Sequence, residues 1–309
     1  MTHEQRFPGV TASRSITVSP FSGGDKGLIQ GFILSRDVID CTHRTISDYR
    51  QRLGQYTGFI SSEFPGMSLK DVQRQHVEAY LLSIKRRGCA PWTVRTNYRA
   101  LKAFHNWMAE EDIVAVSPMA KIKPPRVPKV GKPFLSAAQF AQLLNVCALN
   151  TFTGARTVAM LWILWGTGMR REELAGLMIA DVDWDAECIR VYGKGRKERY
   201  VPLTKDARKA IYKYLKFRDD ALPYLWLTEE RTAMRSNGVC ISIRRTYERA
   251  GLSVKDAFHI FRRTWAMRNL KAGVPMKHVQ LIGGWEDIST LEVYVRQMDS
   301  TDALAARWV

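Results

Sequence analysis

The sequence predicts a mainly helical chain with a small β-sheet, divided into an N-terminal helical bundle and a larger α+β domain. Three observations lead to that expectation. Apolar residues recur three or four apart through most of the chain after about Ser35. One pair of short β-prone runs flanks the turn Gly193-Lys-Gly-Arg-Lys-Glu198. Between the two regions lies Lys121–Phe134, KIKPPRVPKVGKPF, with four prolines and five basic residues. Such a composition resists both helix and sheet and reads as an extended, solvated linker.

Each element follows from its own pattern. Residues 1–34 are read as a loose N-terminal extension, because Val10–Gly31 is rich in Ser, Thr and Gly without a sustained period; only Ile16–Val18 has strand character. Helices are predicted over Thr45–Ile60 (Ile46, Tyr49, Leu53, Tyr56 inward) and Lys70–Ile84, the latter capped by Ser68-Leu-Lys-Asp. The strongest is Thr93–Ile113, with Thr93 as its N-cap and Tyr98, Leu101, Phe104, His105 and Trp107 on the packed face. Residues 35–120 thus form the bundle, 121–133 the linker and 134–309 the second domain with a short tail. In that domain Ser136–Leu149, Gly154–Gly166, Arg170–Leu177, Lys205–Phe217, Ser236–Ala250, His259–Ala272 and Pro275–Ile282 are predicted helical. Ile189–Tyr192 and Arg199–Leu203 are predicted to be strands.

Composition narrows the function. The 309 residues carry 47 Lys+Arg against 30 Asp+Glu, a net charge of +17. The surplus divides evenly, +8 over residues 1–130 and +9 over the rest. A polyanion touched by both domains, nucleic acid above all, fits that distribution better than a basic tail would. The N-terminus lacks the apolar core of a secretory signal, and Val158–Met169, the longest apolar run, is too short to span a bilayer. Cys41, Cys89, Cys147, Cys188 and Cys240 are scattered, without a CxxC pair, which argues for a reducing compartment and against a zinc ribbon or disulfide framework. The sequence has no HExxH, no phosphate-binding GxxxxGK[ST] and no GxSxG elbow.

What remains is a series of basic residues at predicted helix ends and turns. Phosphoryl transfer requires neutralisation of charge on the nonbridging oxygens, which paired arginine forks can supply. His259 and Arg262 are three apart and share a helix face, and Arg170 opens a helix after Gly166-Thr-Gly168. Arg171 and Arg263 stand beside the two arginines, so residue type alone does not choose between neighbours.

Four segments in order resemble the tyrosine recombinase, or phage integrase, family: TGMRREELAGL at Thr167–Leu177, YGKGRKERYVPL at Tyr192–Leu203, HIFRRTWA at His259–Ala266 and LIGGWEDISTLEVYVR at Leu281–Arg296. The helical region Thr45–Ile113 is similar, less specifically, to that family's SAM-like core-binding domain. The resemblance implies that Arg170 and Arg262 hold the scissile phosphate and that Lys194 protonates the leaving 5′-hydroxyl. It implies that His259 assists proton transfer, that Glu173 braces an arginine and that Tyr294 is the nucleophile forming a 3′-phosphotyrosyl link. Trp285 stands where many members have His; its indole N–H could donate to a phosphate oxygen. No metal, ATP or other cofactor is implied.

Lys121, Lys123, Arg126 and Lys129 of the linker, with Arg95 and Arg99 of the bundle, are candidate DNA contacts. The resemblance further implies a homotetramer on two double-stranded core sites, acting through a Holliday junction in the cytoplasm, with an accessory excision factor as a further partner. The tail after Tyr294, containing Leu304, Trp308 and Val309, is expected to dock on a neighbouring subunit. Residues 1–34 are too few for an arm-site domain, which favours a compact phage or mobile-element integrase over a Xer-like chromosome-dimer resolvase. A catalytically silent DNA-binding protein and a type IB topoisomerase are the readings of other classes.

Overall fold

The computed structural model describes residues 23–128, 133–193, 197–254 and 256–295. The chain divides into two compact units, Met1–Val130 and Gly131–Val309. Among the described residues no helix is long and apolar enough to cross a membrane.

The first unit is built from α1 (Gly24–Val38), α2 (His43–Glu63), α3 (Arg74–Arg86) and α4 (Pro91–Glu110). The amphipathic spacing of α2 and α4 buries Leu53, Tyr56 and Ile60 against Tyr98, Leu101 and Phe104. Helix α1 corrects the expectation of a loose arm to residue 34: Leu28, Phe32 and Ile33 are buried in this core. Phe32 meets Tyr49, Phe104 and Trp107 with ring centroids 5.1–5.7 Å apart. The Ser, Thr and Gly content around it obscured three apolar residues at helical spacing. The possible strand at Ile16–Val18 lies outside the described residues.

Two predicted caps also differ. Ser68 does not cap a helix starting at Lys70; its hydroxyl and the Leu69 N–H both donate to Asp25 Oδ1, at 2.9 and 2.8 Å, tying that segment to α1. Helix α3 starts four residues later. Helix α4 starts at Pro91, whose missing N–H costs nothing in the first turn, so Thr93 lies inside the helix.

The start of the proline-rich segment is anchored to the bundle, although its lysines stay exposed. Ile122 is buried, its carbonyl accepts from Tyr98 Oη at 2.8 Å, and Pro125 O accepts from Arg95 at 3.1 Å. At the other end, Leu135 is buried in the second unit.

The second unit contains α5 (Ala137–Asn145), α6 (Phe152–Thr167), α7 (Arg171–Ala175), β1 (Val182–Asp183), β2 (Cys188–Tyr192), β3 (Glu198–Pro202), α8 (Lys205–Leu215), α9 (Ser236–Arg249), α10 (Ala257–Lys271), α11 (Met276–Gly283) and α12 (Ser289–Val295). The antiparallel sheet has the order β1-β2-β3, with Val191 opposite Arg199 and Tyr192 opposite Glu198. Ile189, Val191 and Val201 face the core. Helices α6 and α10 are buried around most of their circumference; α6 is apolar on nearly every face, whereas α10 buries Arg262, Arg263 and Thr264 along with its apolar residues. Their burial fixes the two turns that carry the arginines.

Candidate active site

The site is assembled from helix ends. Helix α6 stops at Gly168, which adopts a left-handed φ of +58°. Two residues later Arg170 is the N-cap of α7, and Glu173 on its first turn folds back to accept from the Arg170 N–H at 2.7 Å. The same carboxylate accepts from Arg170 Nη1 at 2.7 Å and from both terminal nitrogens of Arg199, at 3.0 and 2.7 Å. Glu173 is thus a buried anion shared by two guanidinium forks. Burial alone would raise its carboxyl, but hydrogen bonds from Arg199 and Arg170 overcome this and hold it below the usual carboxylate range.

Arg199 was not anticipated from the sequence. Alternation along β3 was the available signal: Arg199 shares the inward face with Val201, and an inward strand arginine requires a buried partner. Its Nε donates to Ile282 O at 2.8 Å, and Arg170 Nη2 donates to Gly284 O at 2.6 Å, so both arginines grip the end of α11. Gly284 has a φ of +66°, and a Cβ there would lie 3.0 Å from the Arg199 guanidinium. At Gly283 a Cβ would lie 1.9 Å from the Trp285 ring. The glycine pair therefore permits the close approach of Trp285 and Arg199.

Arg262, on α10, donates through Nη1 to Gly168 O at 3.0 Å. Its guanidinium carbon stands 3.7 Å from the centroid of the Trp285 ring, which stacks on Trp265 at 6.2 Å and 15°. Arg262 Nη2 is buried without a hydrogen-bond partner among the described residues. Burial, together with the nearby charge of Arg170, pushes Arg262 from its ordinary value down to about 9. A buried cation with an unused donor beside two further arginines is an arrangement suited to binding an anion.

Tyr294, on α12, packs against the Trp265–Leu270–Val279–Leu291 cluster. Burial raises its phenol, while the charges of Arg263 and then Arg262 act in the opposite direction. His259 begins α10 one turn before Arg262. Its Nδ1 lies 3.0–3.1 Å from the carboxylate of Asp256, the helix N-cap, and its side chain is 70% exposed. Hydrogen bonding from His259 holds Asp256 below the usual carboxylate range. An Nδ1–H tautomer bonded to Asp256 leaves Nε2 as the open ring nitrogen.

The fold therefore brings Arg170, Glu173, Arg262, Trp285 and Tyr294 into one cluster, with His259 one turn away. It also separates the neighbours that residue type could not: Arg171 pairs with Glu172 at the surface, and Arg263 turns away from Arg262 toward Pro133. Lys194 and Lys129 lie outside the described residues. In the first unit Lys121, Lys123, Arg126 and Arg99 are exposed, with Arg99 5.4 Å from the Trp92 ring. Arg95 is partly committed to the Pro125 carbonyl.

The family model "Phage integrase family" matches residues 133–301, more than half of the chain, and the "Phage integrase, N-terminal SAM-like domain" model matches residues 28–114. The chain belongs to the phage integrase family. Such tyrosine recombinases are enzymes that cleave and rejoin DNA through a tyrosine intermediate, without requiring a metal.

Among relatives of this tyrosine recombinase, XerC of Herpetosiphon aurantiacus is 30% identical over 260 residues, covering 82% of this chain and 84% of the relative. XerD of Shewanella oneidensis is 29% identical, covering 81% and 85%. The solved Tn1549 transposon integrase, in complex with a circular intermediate DNA, shares the fold with a TM-score of 0.70. It is 20% identical, over 90% of this chain and 98% of that one. A lambda integrase dimer bound to a core site superposes with a TM-score of 0.70 at 15% identity, over 89% and 78%.

Proposed function

We propose that this site-specific recombinase uses Tyr294 as its nucleophile and exchanges strands through a Holliday junction, as a homotetramer on two core sites. The observation that carries the reading is the buried Arg262 Nη2, unpartnered among the described residues, within the Arg170–Glu173–Arg199 cluster, beside the Tyr294 phenol. Arg170 and Arg262 hold the nonbridging oxygens of the scissile phosphate. Tyr294 Oη attacks phosphorus as the P–O5′ bond breaks, giving a 3′-phosphotyrosyl ester and a free 5′-hydroxyl. His259, oriented by Asp256, assists transfer of the phenol proton, and Lys194 delivers a proton to the leaving oxygen. The covalent ester conserves the phosphodiester bond for religation, so rejoining needs no ATP. The two-fork arrangement is suited to the dispersed charge of the transition state.

The biological setting we favour is integration or excision of a phage or mobile element within the cytoplasm, with an accessory excision factor as a further partner. Chromosome-dimer resolution is the second reading, favoured by the XerC and XerD relatives, which match over four-fifths of their length. Boundaries of 35–120 for the core-binding domain and 134–309 for the catalytic domain remain part of the proposal, with α1 added to the former.

The test is covalent capture. Enzyme and genomic DNA are mixed in EDTA, stopped with detergent, and the adducts sequenced to find the site; a nicked suicide duplex of that site then traps the intermediate. Wild type should become attached. Tyr294→Phe should not, and Arg262→Ala should bind the duplex with little attachment. Attachment by Tyr294→Phe at the wild-type rate would overturn the assignment. Deleting the gene separates the two settings: unresolved chromosome dimers indicate resolution, whereas loss of element excision indicates integration.

A further inference from the structure

Residues 262–264 of α10 face three different ways, being spaced about 100° apart around the helix. Arg262 reaches the Gly168 carbonyl. Its neighbours reach the segment where the chain enters the second unit: Arg263 Nε donates to Pro133 O at 3.3 Å, and Thr264 Oγ1 accepts from the Leu135 N–H at 2.8 Å. Pro133 and Leu135 are thus fastened to α10 on both sides of Phe134. The Phe134 ring stands edge-to-face against Tyr294, with centroids 6.4 Å apart and planes at 71°.

Arg263 is itself buried, at 7% exposure. A buried arginine requires compensating partners. Among the described residues its hydrogen bond is to one carbonyl at 3.3 Å, and its charge acts on the groups around it: the Tyr294 and Tyr247 phenols and the Asp256 carboxylate. Among the described residues, the charged groups acting on Tyr294 are Arg263 and Arg262. Arg262 is already engaged with Gly168 and the Trp285 face, and Arg170, Glu173 and Arg199 bear on it.

We propose that Arg263 and Phe134 are positioning residues for the nucleophile. Phe134 walls the Tyr294 ring, and Arg263 supplies the phenolate with a cation separate from the two that bind phosphate. The inference rests on the reading of Tyr294 as nucleophile. In the attacking step the phenol loses its proton, the new P–O bond forms and the P–O5′ bond breaks; Arg263 exchanges no proton and only offsets the negative charge on Oη. The nucleophile is therefore set in part by Pro133–Leu135, a segment outside the four motif boxes that meets Arg263 and Thr264 of one box and Tyr294 of another.

Single-turnover attachment to the nicked duplex, measured from pH 6 to 10, tests this. Arg263→Met should slow attachment about tenfold near pH 7 and move the rising limb up by about one pH unit, since losing a nearby opposite charge raises a phenol's pKa on that scale. Arg263→Lys keeps the charge and should keep the wild-type pH midpoint with a loss below about threefold. Phe134→Leu should slow attachment about three- to tenfold without moving the midpoint, because the wall changes and the charge does not. A wild-type midpoint in Arg263→Met, or an equal fall in Arg263→Lys, overturns the proposal. If Arg263→Met does not fold, Phe134→Leu decides, and a wild-type rate sinks the idea. Tyr294→Phe separates the two levels: if it still attaches, the nucleophile assignment itself has failed, whereas if it is inactive and Arg263→Met is normal, only the positioning roles have.

Discussion

Replacing Glu173 by glutamine removes one negative charge and almost no volume. The wild-type carboxylate accepts four hydrogen bonds from Arg170 and Arg199, at 2.7–3.0 Å. A glutamine keeps one acceptor oxygen and turns an NH2 donor toward the guanidinium donors. The Arg199 pair is enclosed, with side chains 13% and 4% exposed, so stranding that arginine costs about 3–5 kcal/mol. Arg170 is 40% exposed and adds roughly 0–1 kcal/mol. At about 2–4 °C per kcal/mol for a domain of this size, the melting temperature should fall by roughly 6–24 °C in scanning calorimetry of the full chain. Glu173→Gln/Arg199→Gln should be more stable than the sum of its single variants predicts, since the double variant leaves only the part-exposed Arg170 without its carboxylate and no enclosed charge unpaired.

The pH dependence has a definite sign. Glu173 is held below its ordinary 4.5, so its contribution is fully present above that value and disappears as pH falls through the lower folded pKa. Wild type and Glu173→Gln should therefore converge in acid. Additive variants, or a wild-type melt in Glu173→Gln at pH 7, would refute the shared-anion argument.

Three other outcomes are expected. Trp285→Phe preserves a flat face for Arg262 and should retain most of the cleavage rate, whereas Trp285→Ala should lose it; equal loss in both would indicate that the indole N–H, not the ring face, is what matters. Gly283→Ala inserts a methyl group into the Trp285 ring and should cost about 1–3 kcal/mol, read as a lowered urea midpoint, with a larger fall in single-turnover attachment than in DNA binding. His105 is buried beside Tyr56, and burial lowers it from 6.5 to about 3. Below pH 6.5 the unfolded chain takes up a proton that the folded one refuses until about pH 3, so stability should drop across that interval. His105→Gln should remove about 2–3 kcal/mol of the difference between pH 7 and pH 4.5 in urea titrations; an unchanged acid dependence would mean the imidazole is not the group responsible.

Sequence pattern alone determined the helical character and the β2–β3 hairpin, and the resemblance to the family's motifs pointed to Arg170 and Arg262 over Arg171 and Arg263. It could do so because helix periodicity, turn composition and motif spacing are local properties of the chain. The tertiary structure decided what depends on partners distant in sequence. Asp25 binds Ser68 and Leu69 and draws α1 into the first core; Arg199 meets Glu173 across 26 positions; Arg263 meets Pro133 across 130. Each is a polar group held by a residue remote in the sequence, and no local pattern encodes that residue. The glycine pair at 283 and 284 belongs to both kinds: the letters were visible, but the need for them came from the Trp285 ring and the Arg199 fork pressed against the backbone.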